Sequence, residues 1–212
     1  SFDLNSLYPH LIMQYNISPE TKINQQKDYL ITPDGILGNH QHTNKGEQSE
    51  FVKKALKHHT DNGYSIAANG TCYTKEHQGF LPALMERLYK ERKMYKGKMI
   101  GCQKKRQEVA KANTVAMGKG IMCQKLDKEI AKYNNFQLVR KIQLNSAYGA
   151  IGNEWFRYFD VDMAEAITLS GQLSIRWIAD KLNEFMNKTV GTEDYDYVVA
   201  SDTDSVYLRM GN

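Results

Sequence analysis

A strongly basic stretch interrupts an otherwise acidic chain. Residues 84–143 hold sixteen Lys and Arg against five Asp and Glu, a net +11, while the remainder carries 12 bases and 19 acids, a net −7. The pattern in this stretch is helical and rich in Lys, Arg, Met and Leu from about 83 to 112 and again from about 121 to 148, with Gly118-Lys119-Gly120 as the break. Two long helices joined by a short turn make an antiparallel hairpin. Its charge suits polyphosphate or nucleic acid. A solvated lysine-rich helical surface is the competing reading.

The flanking segments read as a mixed α and β body. Residues 1–17 read as the end of a strand and then a helix, with Ser6 as N-cap and Pro9 in the first turn, where a missing N–H is harmless. Residues 20–63 are polar and weakly periodic, with Pro33-Asp34-Gly35 as a turn signal and one short helix expected near 49–58. His40, His42, His58 and His59 show no metal-ligand spacing and read as solvated. Asn69-Gly70 between two β-prone runs signals a hairpin over 64–73. From 161 to 187, Ala164, Ile167, Gly171, Ile175, Ile178, Leu182 and Phe185 recur every three or four positions, as in a helix lying on a core. Tyr195–Ala200 and Val206–Leu208 flank Ser201-Asp202-Thr203-Asp204-Ser205 as a second hairpin.

Composition removes some classes. The mean hydropathy is −0.60, with no apolar run of about 18 residues, so no membrane-spanning helix is expected. Cys72, Cys102 and Cys123 are widely spaced and odd in number, which reads as free thiols. The chain starts at Ser1 and stops at Asn212 beside patterned segments, so it reads as an internal piece of a longer protein.

The chemistry-bearing residues cluster at element ends. Asp3 falls where a strand meets a helix, and Asp202 and Asp204 fall at a hairpin tip. Carboxylates on such turns are hard oxygen ligands suited to Mg²⁺. Two such ions can activate a hydroxyl and neutralise a leaving pyrophosphate. An Asp-x-Asp turn also occurs on ordinary surfaces and in sugar-nucleotide enzymes. Leu4 to Tyr8 lie at a helix N-terminus, whose N–H groups can hold phosphate oxygens. Arg92 and Lys96 share one helix face by their spacing, and so do Lys141, Asn145 and Tyr148. Together they offer cations, an amide and an aromatic plate, the set a nucleoside triphosphate wants.

Three blocks resemble those of B-family DNA polymerases, in the family's order. Asp3-Leu4-Asn5-Ser6-Leu7-Tyr8-Pro9 is similar to motif A, Lys141 through Asn145-Ser146-Ala147-Tyr148-Gly149 to motif B, and Asp202-Thr203-Asp204-Ser205 to motif C. Residues 16–21, 68–70 and 149–158 further resemble the replicative polymerases of T-even-type bacteriophages. The likeness covers nearly the whole chain except about 22–60.

The resemblance implies an α+β fold: a palm, with a small antiparallel sheet and packed helices, interrupted by an antiparallel two-helix fingers hairpin. Palm would occupy 1–82 and 150–212, and fingers 83–149. Asp3 and Asp204 would bind two Mg²⁺ ions with the Leu4 carbonyl, Asp202 being a nearby carboxylate. Ser6, Leu7 and Tyr8 would cradle the triphosphate, with Tyr8 also excluding a ribose 2′-hydroxyl. Arg92, Lys96, Lys141 and Asn145 would bind the incoming triphosphate. Tyr148 and Gly149 would pack beside the nascent base pair.

Implied partners are primer-template DNA and a dNTP, with exonuclease and thumb domains in cis, a sliding clamp and no membrane. The implied setting is the cytoplasm of an infected bacterium, and the isolated piece is expected to be inactive or weakly active. His10 departs from the family's commoner Ser, Ser201 from its Gly, and the fingers are shorter than in several relatives. The rivals are a metal-dependent glycosyltransferase, which gives Lys141, Asn145 and Tyr148 no role, and a non-catalytic DNA-binding module.

Overall fold

The computed structural model describes residues 1–23, 27–38, 47–111 and 118–210. These form two compact units, Ser1–Ala83 with Tyr148–Asn212, and Leu84–Ala147.

The first unit is built on a three-stranded antiparallel sheet. β1 (Phe2–Asp3) lies beside β5 (Ser205–Leu208), which lies beside β4 (Val198–Asp202). The central strand therefore comes from the far end of the chain, and the register sets Asp3 opposite Ser205 and Asp202 opposite Ser205. A helix, α1 (Leu7–Tyr15), follows β1 directly, and Pro9 is its third residue, where no intrahelical N–H bond is due.

α1 packs against α6 (Val161–Val190). Leu7, Leu11 and Ile12 from α1 and Met163, Ala166 and Ile167 from α6 are buried. Burial of each leucine, isoleucine or methionine side chain among them is worth about 1.5–3 kcal/mol. Asp160 caps α6 by accepting from the Met163 N–H, and Gly191, at φ 78°, ends it. The core-helix reading holds for the first half of α6 only. Further along the same face Ile175, Ile178 and Leu182 are only half-buried and Phe185 is 62% exposed.

The second sheet is a hairpin of β2 (Tyr64–Ile66) and β3 (Cys72–Thr74). Gly70 has φ 83°, and a Cβ there would sit 2.0 Å from the Asp28 carbonyl oxygen, so the Asn-Gly signal marks a position only glycine can fill. Asn69 locks this loop by donating to the Asp162 carbonyl and accepting from the Thr71 N–H. Lys22 bridges Asp160 and Asp162, and Lys27 bridges Asp162 and Glu165, which ties the early polar region to the start of α6.

Three local expectations need correction, and a fourth, the helix near 49–58, is met. Ser6 precedes α1 in the left-handed region (φ 57°, ψ 48°) and its side chain makes no cap bond. Pro33-Asp34-Gly35 begins a helix, α2 (Pro33–Leu37), capped by Thr32, because proline at N1 and an acid in the first turn favour a helix start. The helix expected near 49–58 is α3 (Glu50–Asp61), capped by Ser49. His59 is not solvated. Its Nε2 lies 2.8 Å from Asp28 and its Nδ1 3.4 Å from the Cys72 sulfur. Burial, with the Asp28 charge, pushes that thiol up to about 11. His58 is exposed, and His40 and His42 lie outside the described residues.

The second unit consists of most of α4 (Phe80–Lys111) and α5 (Gly118–Ile151). Gly118 and Gly120 lie inside the first turn of α5 rather than in a break, and residues 112–117 lie outside the described residues. The helices run antiparallel. Arg140 pairs with Glu91 at 2.9 Å, Cys102 lies 3.6 Å from Glu129, and Arg106 pairs with Asp127. Tyr95 packs on Tyr133 and Phe136, with the Arg140 guanidinium 5.1 Å above the Tyr95 ring. The three cysteines are free and half-buried.

Candidate active site

Two acids far apart in sequence meet because β1 and β5 pair. Asp3 ends β1, and the next N–H, that of Leu4, donates to the Asp204 carbonyl at 2.7 Å. Asp204 sits in the two-residue tip between β4 and β5 with Thr203, whose φ of 26° is a strained value for a β-branched residue. Asp202 ends β4, where its carboxylate accepts from the Thr203 hydroxyl and its carbonyl from the Ser205 hydroxyl. Ser201 pairs with Val206 one residue earlier. None of the ion pairs among the described residues engages Asp3, Asp202 or Asp204.

The donors near the sheet end are two carboxylates and a backbone carbonyl, hard oxygen ligands. Among the described residues no group of three or more His, Cys, Asp or Glu side chains is gathered to hold a metal alone. Mg²⁺ commonly takes one or two carboxylates and fills its shell with water and phosphate oxygens. Asp3, Asp204 and the Leu4 carbonyl fit that pattern.

Beside the acids stands an aromatic pair. The Tyr8 ring lies 4.8 Å from that of Tyr148, tilted by 57°. Burial, the Tyr148 phenol and the Asp204 charge all raise the Tyr8 phenol above its ordinary value, so it stays protonated near neutral pH. Leu7 is buried. The Ser6 carbonyl accepts from both the backbone N–H and the ring Nδ1–H of His10, which gives that departure a local task. Gly149 is exposed, and a Cβ there would meet nothing within 4 Å.

The remaining candidates lie in the second unit. Arg92 is half-buried on α4, and Lys96, Lys141 and Asn145 are exposed. The Glu91–Arg140 pair fixes the helix register at the level where Arg92 and Lys141 follow in sequence. Sequence reading passes over that pair, because each partner alone resembles any other charge in a basic helix. A cleft of about 810 Å³ in the first unit is lined by Leu7, Leu11, Trp177 and Ile178 among others, and by none of the three acids.

The model of DNA polymerase family B matches residues 1–114 and 113–212. The chain belongs to DNA polymerase family B. It is 34% identical, over 98% of its length, to the DNA-directed DNA polymerase of Enterobacteria phage T4, and 32% identical over the same share to that of Escherichia phage RB69. The chain spans 24% of the length of each. A DNA polymerase of Paramecium bursaria Chlorella virus NY2A is 27% identical over 99% of the chain. The family B DNA polymerase of the archaeon Pyrobaculum calidifontis shares the fold, with a TM-score of 0.52 and 22% identity over 99% of this chain and 20% of that one. Mixed helices with a small antiparallel sheet are thus the family's fold, and the matches do not favour the glycosyltransferase reading.

Proposed function

We propose that this chain is the palm-and-fingers core of a viral replicative DNA polymerase. The observation that carries the reading is the pairing of β1 with β5, which brings Asp3 beside Asp204 at one end of a small sheet. In this reading residues 1–82 and 150–212 are the palm, and the helical hairpin over 83–149 is the fingers.

The reaction is attack of the primer 3′-hydroxyl oxygen on the α-phosphorus of a dNTP. A new O–P bond forms, the α–β phosphoanhydride bond breaks, and pyrophosphate leaves. Asp3, Asp204 and the Leu4 carbonyl would hold two Mg²⁺ ions. These supply activation of the hydroxyl and neutralisation of the leaving group. Asp202 keeps the tip negative.

The N–H groups opening α1 at Leu7 and Tyr8, with Ser6, hold phosphate oxygens. Arg92, Lys96, Lys141 and Asn145 bind the triphosphate from the fingers by charge and hydrogen bonding. Tyr8 lies under the deoxyribose and excludes a 2′-hydroxyl. Tyr148 packs beside the nascent base pair, and Gly149 lets backbone come close to it. Exonuclease and thumb domains in cis, a sliding clamp, and action in the cytoplasm of an infected bacterium complete the proposal.

The test is primer extension by the full-length protein on primed DNA with Mg²⁺. Template-directed extension with pyrophosphate release is expected. Salt-sensitive DNA binding without extension, or turnover of a sugar nucleotide, would overturn it.

A further inference from the structure

Gly171 lies within α6, and its backbone is helical with no positive φ. Glycine is a poorer helix former than alanine, so conformation gives no reason for it here. Space does. A Cβ built on Gly171 would lie 3.2 Å from Cε1 of Tyr8, and 3.7 Å from both Leu11 Cδ1 and Leu7 Cδ2. The leucine distances are ordinary contacts, so the tight approach is to the tyrosine ring alone. Gly171 is buried and Tyr8 half-buried. A push from position 171 therefore drives the ring outward, toward the accessible side from which a nucleotide must come. Tyr148, with its ring 4.8 Å away, flanks Tyr8 as well.

We infer that Gly171 is a positioning residue for nucleotide sugar selection: by lacking a side chain it lets the Tyr8 ring rest back against α6, and so sets how far that ring projects under the incoming sugar. The inference rests on the proposed role of Tyr8 as the sugar gate. Gly171 touches neither substrate nor reacting atoms, and it acts through Tyr8 alone.

The experiment is a double-mutant cycle in the full-length protein, using Gly171→Ala, Tyr8→Ala and the pair. Single-nucleotide addition is measured with a dNTP and with the matching rNTP. Gly171→Ala is expected to raise KM for the dNTP about threefold or more with kcat nearly unchanged, and the rise should vanish in the Tyr8→Ala background. An unchanged KM, or a rise that persists without the Tyr8 ring, overturns the inference, the latter because the effect would then run through Leu7 and Leu11. Tyr8→Ala should itself raise ribonucleotide use about tenfold or more. If it does not, the gate reading fails, while the cycle still decides whether Gly171 acts through Tyr8. Should Gly171→Ala unfold the protein, recovered folding in the double variant supports the contact, and no recovery overturns it.

Discussion

Lys22 sits between two carboxylates, 2.8 Å from Asp160 and 3.0 Å from Asp162. Burial pulls its pKa down, but the hydrogen bonds and charges of the two acids outweigh burial and leave it raised. The Lys22 hydrogen bond in turn holds the Asp162 carboxyl below its ordinary value. Asp162 with its pKa depressed stabilises the fold above the unfolded carboxyl value, and that contribution fades as pH falls through the folded one. Lys22 with its pKa raised stabilises below its unfolded value, and that contribution is lost only as strongly alkaline pH is reached. Lys22→Met keeps the aliphatic stem and leaves the acids short of a partner. It should cost about 1–2 kcal/mol near neutral pH, less than a fully buried pair because Asp162 is half-exposed and keeps Lys27. Urea unfolding checks this. The penalty should shrink progressively as pH falls below the ordinary carboxyl range of about 4, and a penalty of constant size down through that range would contradict the assignment.

Helices α4 and α5 place glycine at several positions where nothing requires it. At Gly97, inside α4, a Cβ would meet no atom within 4 Å. Gly97→Ala should therefore stabilise the protein by about 0.5–1 kcal/mol, read as a higher urea midpoint at unchanged slope. A lower midpoint would mean that this face of α4 packs against something.

The elements differ in how far the sequence discloses them. The strands around Ser201–Ser205 and the first half of α6 are legible because β-prone runs and three-to-four spacing act locally. α2 is not, since Pro33, Asp34 and Gly35 suit both a turn and the first turn of a helix, and Thr32 decides by capping. Gly118 and Gly120 mislead because a long helix tolerates weak formers in its first turn. At the site, the motif residues stand out as short local strings. Gly171 and the Asp28–His59–Cys72 contact do not, because each is defined by a partner distant in sequence.

Across the whole molecule, charge and chemistry separate by unit. The strongly basic stretch, residues 84–143, falls entirely in the Leu84–Ala147 unit, and the three motif acids fall in the other. The net charge of +4 therefore averages two opposite surfaces. A basic helical pair and an acidic strand end suit the two demands of nucleotidyl transfer, which are to grip a polyanion and to hold divalent cations against it. If the acids at the sheet end perform the chemistry, Asp204 is indispensable and its exposed or half-exposed neighbourhood leaves the fold indifferent to its loss. The decisive measurement is single-turnover nucleotide addition by the full-length protein carrying Asp204→Ala, with circular dichroism as the control for folding. The account predicts a fall of about 10³-fold or more in the rate of addition with the spectrum unchanged. Addition at close to the wild-type rate would contradict it.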